Sequence, residues 1–433
     1  MNRDALRTAA LEIFRHALIT VDTRLAARNA VNLDGSFLRV AKTRFEITNQ
    51  PVYLVGIGKA ALAMAHGLND VLGGRVSAAV VSSTAPTTSA PLPSRYQFFN
   101  GGHPLPNEQS LEAAKATFEL LDRANRELGI VIFLVSGGGS AMLEWPVSNE
   151  ISLDDLREAN RQLVTSGASI AEINAIRRSF SAVKGGALAR RAPNARIVTL
   201  IVSDTNRGDE ASVASGPTLP VPAGAPDSVV VVEKYGLIST LPPSVLTAIR
   251  RQPTANRSPQ LSAPCYVLLD SSVAMEAARQ RAVDLGFTTT VENDIVEQSI
   301  EEGTELLLER IANRFDAPSC SISSGEFGCR VEGNGRGGRN LETVLRCALR
   351  LDQESTYHTV VLSAGTDGID GSSYAAGAIA DEGTIRCGRA LGLDADDYLR
   401  RSDSHAFFEA LADLVVTGPT GTNVRDLRLL LRA

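Results

Sequence analysis

The chain has 433 residues, 44% hydrophobic and 21% charged, with a formal net charge of −6; it is too long for one hydrophobic core, so two domains are expected. No apolar run approaches the roughly 20 residues of a membrane span, and the acidic balance argues against a nucleic-acid partner, since such domains are usually basic. Cys265, Cys320, Cys329, Cys347 and Cys387 form no CxxC pair, and their odd number suits reduced thiols better than a disulfide framework or a zinc site.

Residues 3 to 30 read as an amphipathic helix whose Asp4 and Glu12 interrupt any signal-peptide apolar segment, so a cytoplasmic location is expected. VYLVGIG, residues 52 to 58, reads as a strand breaking into glycine, with Lys59 in the first turn of the helix that follows. Such a turn is an anion site when its N–H groups and the helix dipole point at whatever sits above the strand. GIGKAA also satisfies GxGxxA, but the next strand ends in Ser82, Ser83 and Thr84, where a dinucleotide fold wants an acid for the ribose. His103, between Gly102 and Pro104, is open to a structural or a functional reading. The strand GIVIFLV then runs into Ser136, Gly137, Gly138, Gly139 and Ser140, a second phosphate cradle of the same design.

Residues 153 to 192 are helical in period, and Arg177, Arg178 and Lys184 read as a solvated face. The strand ARIVTLIV ends in Ser203 and Asp204; a carboxylate there holds Mg²⁺ or accepts a proton, unless it only caps a turn. Residues 219 to 263, rich in Pro, Ala and Ser, read as a linker, which gives domains 1–245 and 255–433. Strand and helix patterns then alternate up to ISSGEFGCRVEGNGRGGRNLE, residues 322 to 342. Its glycines admit close backbone approach, and Arg336 and Arg339 bring forked donors suited to phosphate or carboxylate. Two later strands end in Asp367 and Asp370, and in Thr420, Thr422 and Asn423.

As an ordered set, SGGGS, NAIRRSFSAVKGGALA, SD…GDEASVASGPT, SGE…GNGRGGRN, AGTDGIDG…AAGA and TGPTGTNV resemble the glycerate 2-kinase family, from about residue 5 to the end. The C-terminal half of that family is called the MOFRL domain, and some members carry an older label, hydroxypyruvate reductase. The resemblance implies an α/β protein with an N-terminal Rossmann-like doubly wound sheet, a smaller C-terminal α/β domain and an active site in the interdomain cleft. It implies ATP- and Mg²⁺-dependent phosphorylation of the 2-hydroxyl of D-glycerate, with Lys59 and Arg339 catalytic. Phosphoryl transfer needs positioning and charge neutralisation above all. On that footing Ser136 to Ser140 and the loop with Gly335, Gly337 and Gly338 are assigned to the ATP phosphates, and Asn340, Glu326, Thr420 and Asn423 to nucleotide or substrate. Asp204, with Asp367 or Asp370, is assigned to Mg²⁺ or to the substrate proton. The expected partners are ATP and a small hydroxy acid, with no nucleic acid or membrane, and a homodimer is an allowed assembly.

The chain departs from the family pattern at Phe180, where a histidine is usual, at Ser324 for glycine, at Leu341 for glutamine and at Tyr374 for aspartate, and its SD-to-GD spacing is one residue longer. Phe and Leu have no hydrogen bond to offer. Drift in an active enzyme and a larger or less polar hydroxy acid are both open. An NAD(P)H-dependent hydroxypyruvate reductase and a non-catalytic sugar-acid-binding homologue are the alternatives.

Overall fold

The computed structural model describes residues 1–84, 91–251, 263–313, 318–354 and 358–433. Two compact units divide the chain out of linear order: Thr23–Leu269 forms one, and Met1–Asp22 with Asp270–Ala433 forms the other.

The first unit opens with a three-stranded antiparallel sheet, β1 (Val31–Asp34), β2 (Phe37–Val40) and β3 (Thr43–Glu46). The helical period expected over residues 3 to 30 gives way to this meander, whose first turn carries Asp34-Gly35, a hairpin signal at which Gly35 takes φ +54°. A six-stranded sheet follows: β4 (Val52–Ile57), β5 (Val76–Ser83), β6 (Tyr96–Asn100), β7 (Ile130–Ser136), β8 (Arg196–Val202) and β9 (Cys265–Leu269). Every pairing in it is parallel. The order β6-β5-β4-β7-β8-β9 is the Rossmann order, and its direction reverses between β4 and β7. Doubly wound sheets hold ligands beyond the carboxyl ends of their strands at that switch point. β4 and β7 are buried along their whole length, as parallel strands covered on both faces must be.

The two sequence-based boundaries differ from this division, for physical reasons. β9, which the linear reading gave to the second domain, pairs with β8 and completes the first sheet. Within 219–251, the helices Ser228–Lys234 and Pro243–Arg251 bury Val231, Val232, Val245 and Ile249 against Leu156, Ile176 and Phe180, so this part is a helical layer rather than a linker. Residues 252–262 of that stretch lie outside the described residues. The single helix expected over 3 to 30 is two, Arg3–Thr20 and Thr23–Asn29, because its halves pack into different units.

The second unit is built on the sheet β10 (Thr288–Glu292), β11 (Ser319–Gly325), β12 (Thr359–Gly365), β13 (Gly377–Asp381), β14 (Leu414–Val415) and β15 (Asp426–Arg432). Its order is β10-β11-β15-β12-β13-β14, and only β10 and β11 run parallel. The N-terminal helix packs Leu6, Ile13 and Phe14 with Ala278, Phe287, Leu362 and Leu429 on one side. On the other, Leu341, Val344 and Leu345 of the helix Arg339–Glu354 pack with Leu307, Val361 and Leu430.

Candidate functional site

At the switch point, β4 ends in Gly58-Lys59 and β7 ends in Ser136 and the triple glycine. The amides of the first turn are not an open cradle, contrary to the sequence expectation. Gly58 N–H donates to Ser82 O at 3.0 Å, Lys59 N–H to Gly137 O at 2.9 Å, and Ala60 N–H to Ser136 Oγ at 2.9 Å. Gly58 sits at φ +115°, and a Cβ there would lie 2.3 Å from Ser136 O. This glycine welds the two turns together. At the second turn, no acceptor among the described residues lies on the amides of Gly138, Gly139 and Ser140. Gly138 has φ +78°, and its missing Cβ would be 3.2 Å from Lys59 Cγ and 3.4 Å from the His103 ring. Lys59 and the exposed His103 therefore converge on the one turn with unclaimed amides.

Ser140 is tied behind this turn. Its Oγ lies 2.8 Å from Ser215 Oγ, which donates to Asn174 Oδ1 at 2.8 Å. Ala214 and Ser215 both take positive φ, a strained backbone for residues with a Cβ. Asp204 is half-buried two residues beyond the end of β8. The cations expected to be solvated are not: Lys184 is 3% exposed and is paired with Glu144, which is 1% exposed and also accepts from Ser181 Oγ. Burial lowers the Lys184 pKa against the pull of Glu144. Arg177 Nε donates to Asn160 Oδ1 at 2.9 Å.

In the second unit the glycine-rich loop is packed against neighbouring side chains and backbone. A Cβ at Gly335 would lie 2.4 Å from Asp403 Cβ, one at Gly337 2.5 Å from Ser404 Oγ, and one at Gly338 2.4 Å from Asp370 Cγ. Gly335 N–H donates to Arg401 O, Arg336 N–H to Asp403 Oδ1 and Gly337 N–H to Ser372 Oγ. These three amides are committed to the fold and are not part of an open cradle. Arg339 donates from Nε to Asp426 Oδ2 at 2.5 Å and from Nη2 to Asp426 Oδ1 at 3.1 Å, and its Nη2 is 3.0 Å from Glu326 Oε1. Burial works against its charge, yet Asp426 and Glu326 raise its pKa above the ordinary arginine value. A cavity of about 540 Å³ adjoins it, lined by Phe327, Cys329, Val331, Gly338, Arg339 and Ser372 among others.

Two assignments change here. Asp370 does not present itself to an ion: it is 3% exposed and accepts from Asn340 N–H at 3.1 Å, Asn340 Nδ2 at 3.2 Å and Leu341 N–H at 2.8 Å. Burial, opposed by those amides, pushes its carboxyl up to about 7. Asn340 donates to Asp370 and accepts from Ser363 Oγ at 2.6 Å, so both ends of its amide are spent inside the fold. Thr420 Oγ1 donates to Thr366 O at 2.6 Å, and Thr420 N–H to Asp367 O at 3.2 Å, closing one polar loop on another. Asn423 is 7% exposed. No group of three His, Cys, Asp or Glu among the described residues forms a preassembled metal site. Asp426 carried no signal in the chain because its partner Arg339 is 87 positions away.

The family departures also take their places. Phe180 and Leu341 are each 0% exposed, in hydrophobic clusters. Tyr374 is 51% exposed and donates to Glu409 Oε1 at 2.9 Å. Phe180 and Leu341 are core residues, so neither side chain is exposed at a surface a substrate could touch directly.

Residues 9–250 match the model of a domain of unknown function, DUF4147, and residues 319–426 match the MOFRL family. The chain is similar to the D-glycerate 2-kinase of Thermotoga maritima, 34% identical over 90% of this chain and 92% of that protein, and to the glycerate 2-kinase of Pyrococcus horikoshii, 34% identical over 98% and 96%. A protein of Agrobacterium vitis, 35% identical over 87% of this chain and 86% of its own, carries the hydroxypyruvate reductase label. Among solved structures, a glycerate kinase from Thermotoga maritima superimposes with a TM-score of 0.81 at 31% identity, covering 99% of this chain and 100% of that one. The switch-point turns and the arginine-bearing loop are thus features of a two-unit α/β protein with kinase relatives. The chain belongs to the glycerate 2-kinase family. No helix among the described residues is long and apolar enough to cross a membrane.

Proposed function

We propose that this protein is a cytoplasmic ATP-dependent kinase that phosphorylates the 2-hydroxyl of D-glycerate or a closely related hydroxy acid. The observation that carries the reading is the convergence of Lys59 on Gly138 at the switch point of the parallel sheet, in a chain whose relatives are named glycerate 2-kinases. The Gly138 to Ser140 amides receive phosphate oxygens and Lys59 offsets the charge on the transferred group. Arg339, paired with Asp426 and Glu326, brings a forked cation whose shape suits a phosphoryl group. Asp204 in the first unit and Asp367 in the second are each a candidate carboxylate for Mg²⁺, and one is enough for an ion that arrives on the nucleotide, because Mg²⁺ in such sites keeps waters and takes one or two carboxylates besides the phosphates. Mg²⁺ held there would supply charge neutralisation at the phosphates.

The test couples ADP release to a panel of hydroxy acids, with the phosphorylated position read by NMR. D-Glycerate is expected to turn over, and Lys59→Ala to lose at least about a hundredfold in kcat with its circular dichroism unchanged. A Lys59→Ala variant with near-full turnover overturns the assignment.

A hydroxypyruvate reductase is the second reading, favoured by the Rossmann order and by the label of the Agrobacterium relatives. Against it, β5 ends in serines, and their hydroxyls donate to Met142 O and Gly58 O with no acid for a ribose. NADH oxidation with hydroxypyruvate, run beside the ADP assay, separates the two.

A further inference from the structure

Arg339 is the first residue of the helix Arg339–Glu354, so the direction of its side chain depends on how that helix begins. The opening is held from outside the helix. The two carboxylate oxygens of Asp370 take the N–H groups of Asn340 and Leu341, as a capping residue takes the first free amides of a helix, but from a loop 30 positions away. The same carboxylate takes Asn340 Nδ2, and Ser363 Oγ braces the other end of that amide. The loop bearing Asp370 is in turn fastened to the glycine-rich loop. Ser372 N–H donates to Gly337 O, Gly337 N–H donates to Ser372 Oγ, and a Cβ on Gly371 would lie 2.3 Å from Gly337 O. Beyond the helix start, Asp426 grips the guanidinium itself, and Ser324 Oγ donates to Asp426 O at 2.6 Å. Arg339 is therefore fixed through the two amides that follow it by one carboxylate, and at its tip by Asp426 and Glu326.

We propose that Asp370 is a positioning residue for Arg339: it sets the first turn of the helix so that the guanidinium is presented to the transferred group with its geometry fixed in advance. This rests on the kinase reading for the consequence in turnover, and on geometry alone for the consequence in structure. An arginine held at both ends reaches the transition state without ordering cost, whereas one on a frayed turn must be ordered there.

The experiment is a double-mutant cycle of Asp370→Asn and Arg339→Lys in the full chain, read by kcat, KM and hydrogen exchange. Asp370→Asn keeps the size of the side chain but sets an NH₂ group against one of the amides. It is expected to lower kcat by about ten- to a hundredfold, with KM for both substrates within about threefold. In the Arg339→Lys background the same change costs less than about threefold more, since residues acting as a unit are not additive. Exchange of the amides over 339–342 rises in Asp370→Asn, and the Arg339 Nε–H resonance moves. If Asp370→Asn does not fold, Asn340→Ala, which removes the brace on Asp370, enters the same cycle. Losses that multiply, or an unmoved Arg339 resonance with unchanged exchange, overturn the proposal. A wild-type chain that phosphorylates no hydroxy acid overturns the kinase reading instead, and exchange and the Nε–H signal then decide the positioning role.

Discussion

Lys184 and Glu144 illustrate how the same residue types mean different things once burial is known. In sequence Lys184 follows two arginines and reads as part of a solvated face, yet it is buried and paired with Glu144, with Ser181 Oγ bonded to the same carboxylate. Removing one member of a buried pair leaves an uncompensated charge. Lys184→Met is expected to cost about 3–5 kcal/mol, and Glu144→Leu with Lys184→Met together less than the sum of the single changes. Urea unfolding of the three variants checks this; an additive double variant shows that the pair is not coupled. Phe180 and Leu341 carry the opposite lesson. Their departure from the family pattern suggested a reshaped pocket, but both side chains lie in apolar clusters. A polar-to-apolar change inside a core is felt first in packing and in the hydrogen bonds that the new side chain cannot make. Arg428 was also invisible as a structural device: it is 1% exposed, donates to Ser323 Oγ, Gly325 O and Ile295 O, and stacks 3.9 Å over the Phe327 ring. Burial lowers its pKa to about 10.

Among the elements, the glycine turns were the most legible and the most easily misread. A strand, a glycine turn and a helix are written plainly at 52–72 and at 130–142, and both units form. Which amides stay free was not legible, because it depends on Gly58 and Ser136 meeting across two strands. Gly138 is the sharpest probe of the second turn. Gly138→Ala introduces an L side chain at φ +78°, worth about 1 kcal/mol of strain, and its methyl pushes on Lys59 Cγ at 3.2 Å. Turnover is expected to fall by at least about tenfold while the melting temperature drops only a few degrees; unchanged kcat with the same fold counts against Lys59 acting at this turn. In the other unit, Gly335, Gly337 and Gly338 are required by neighbouring backbone and side chains. A glycine run in a sequence reports close approach and does not report what approaches.

The division of the whole molecule has its own consequence. The helix Arg3–Thr20 completes the unit that contains residues 270–433, burying Leu6, Ala10, Ile13, Phe14 and Ala17 there. Arg7 pairs with Asp381 and Asp413 in the same unit. At about 1.5–3 kcal/mol for each large apolar side chain, losing Leu6, Ile13 and Phe14 with residues 1–22 removes an amount comparable with a domain's usual margin of stability. Hydrogen exchange is expected to lose protection across 270–433 and to keep it across 23–269. Equal loss in both segments contradicts the division.

Read as a string, the chain specified the main strands of both six-stranded sheets, its glycine turns and its family, because hydrophobic period and motif order are local properties that survive without a fold. It also placed Lys59 and Arg339 in motifs suited to anions. The partners of those motifs needed three dimensions. Asp370 turned from an expected ion ligand into a helix cap, Asp426 emerged as the clamp on Arg339, β9 joined the first sheet and the N-terminal helix joined the second unit. Each depends on a contact between residues far apart in the chain, and burial, hydrogen-bond satisfaction and strand pairing are set by those contacts.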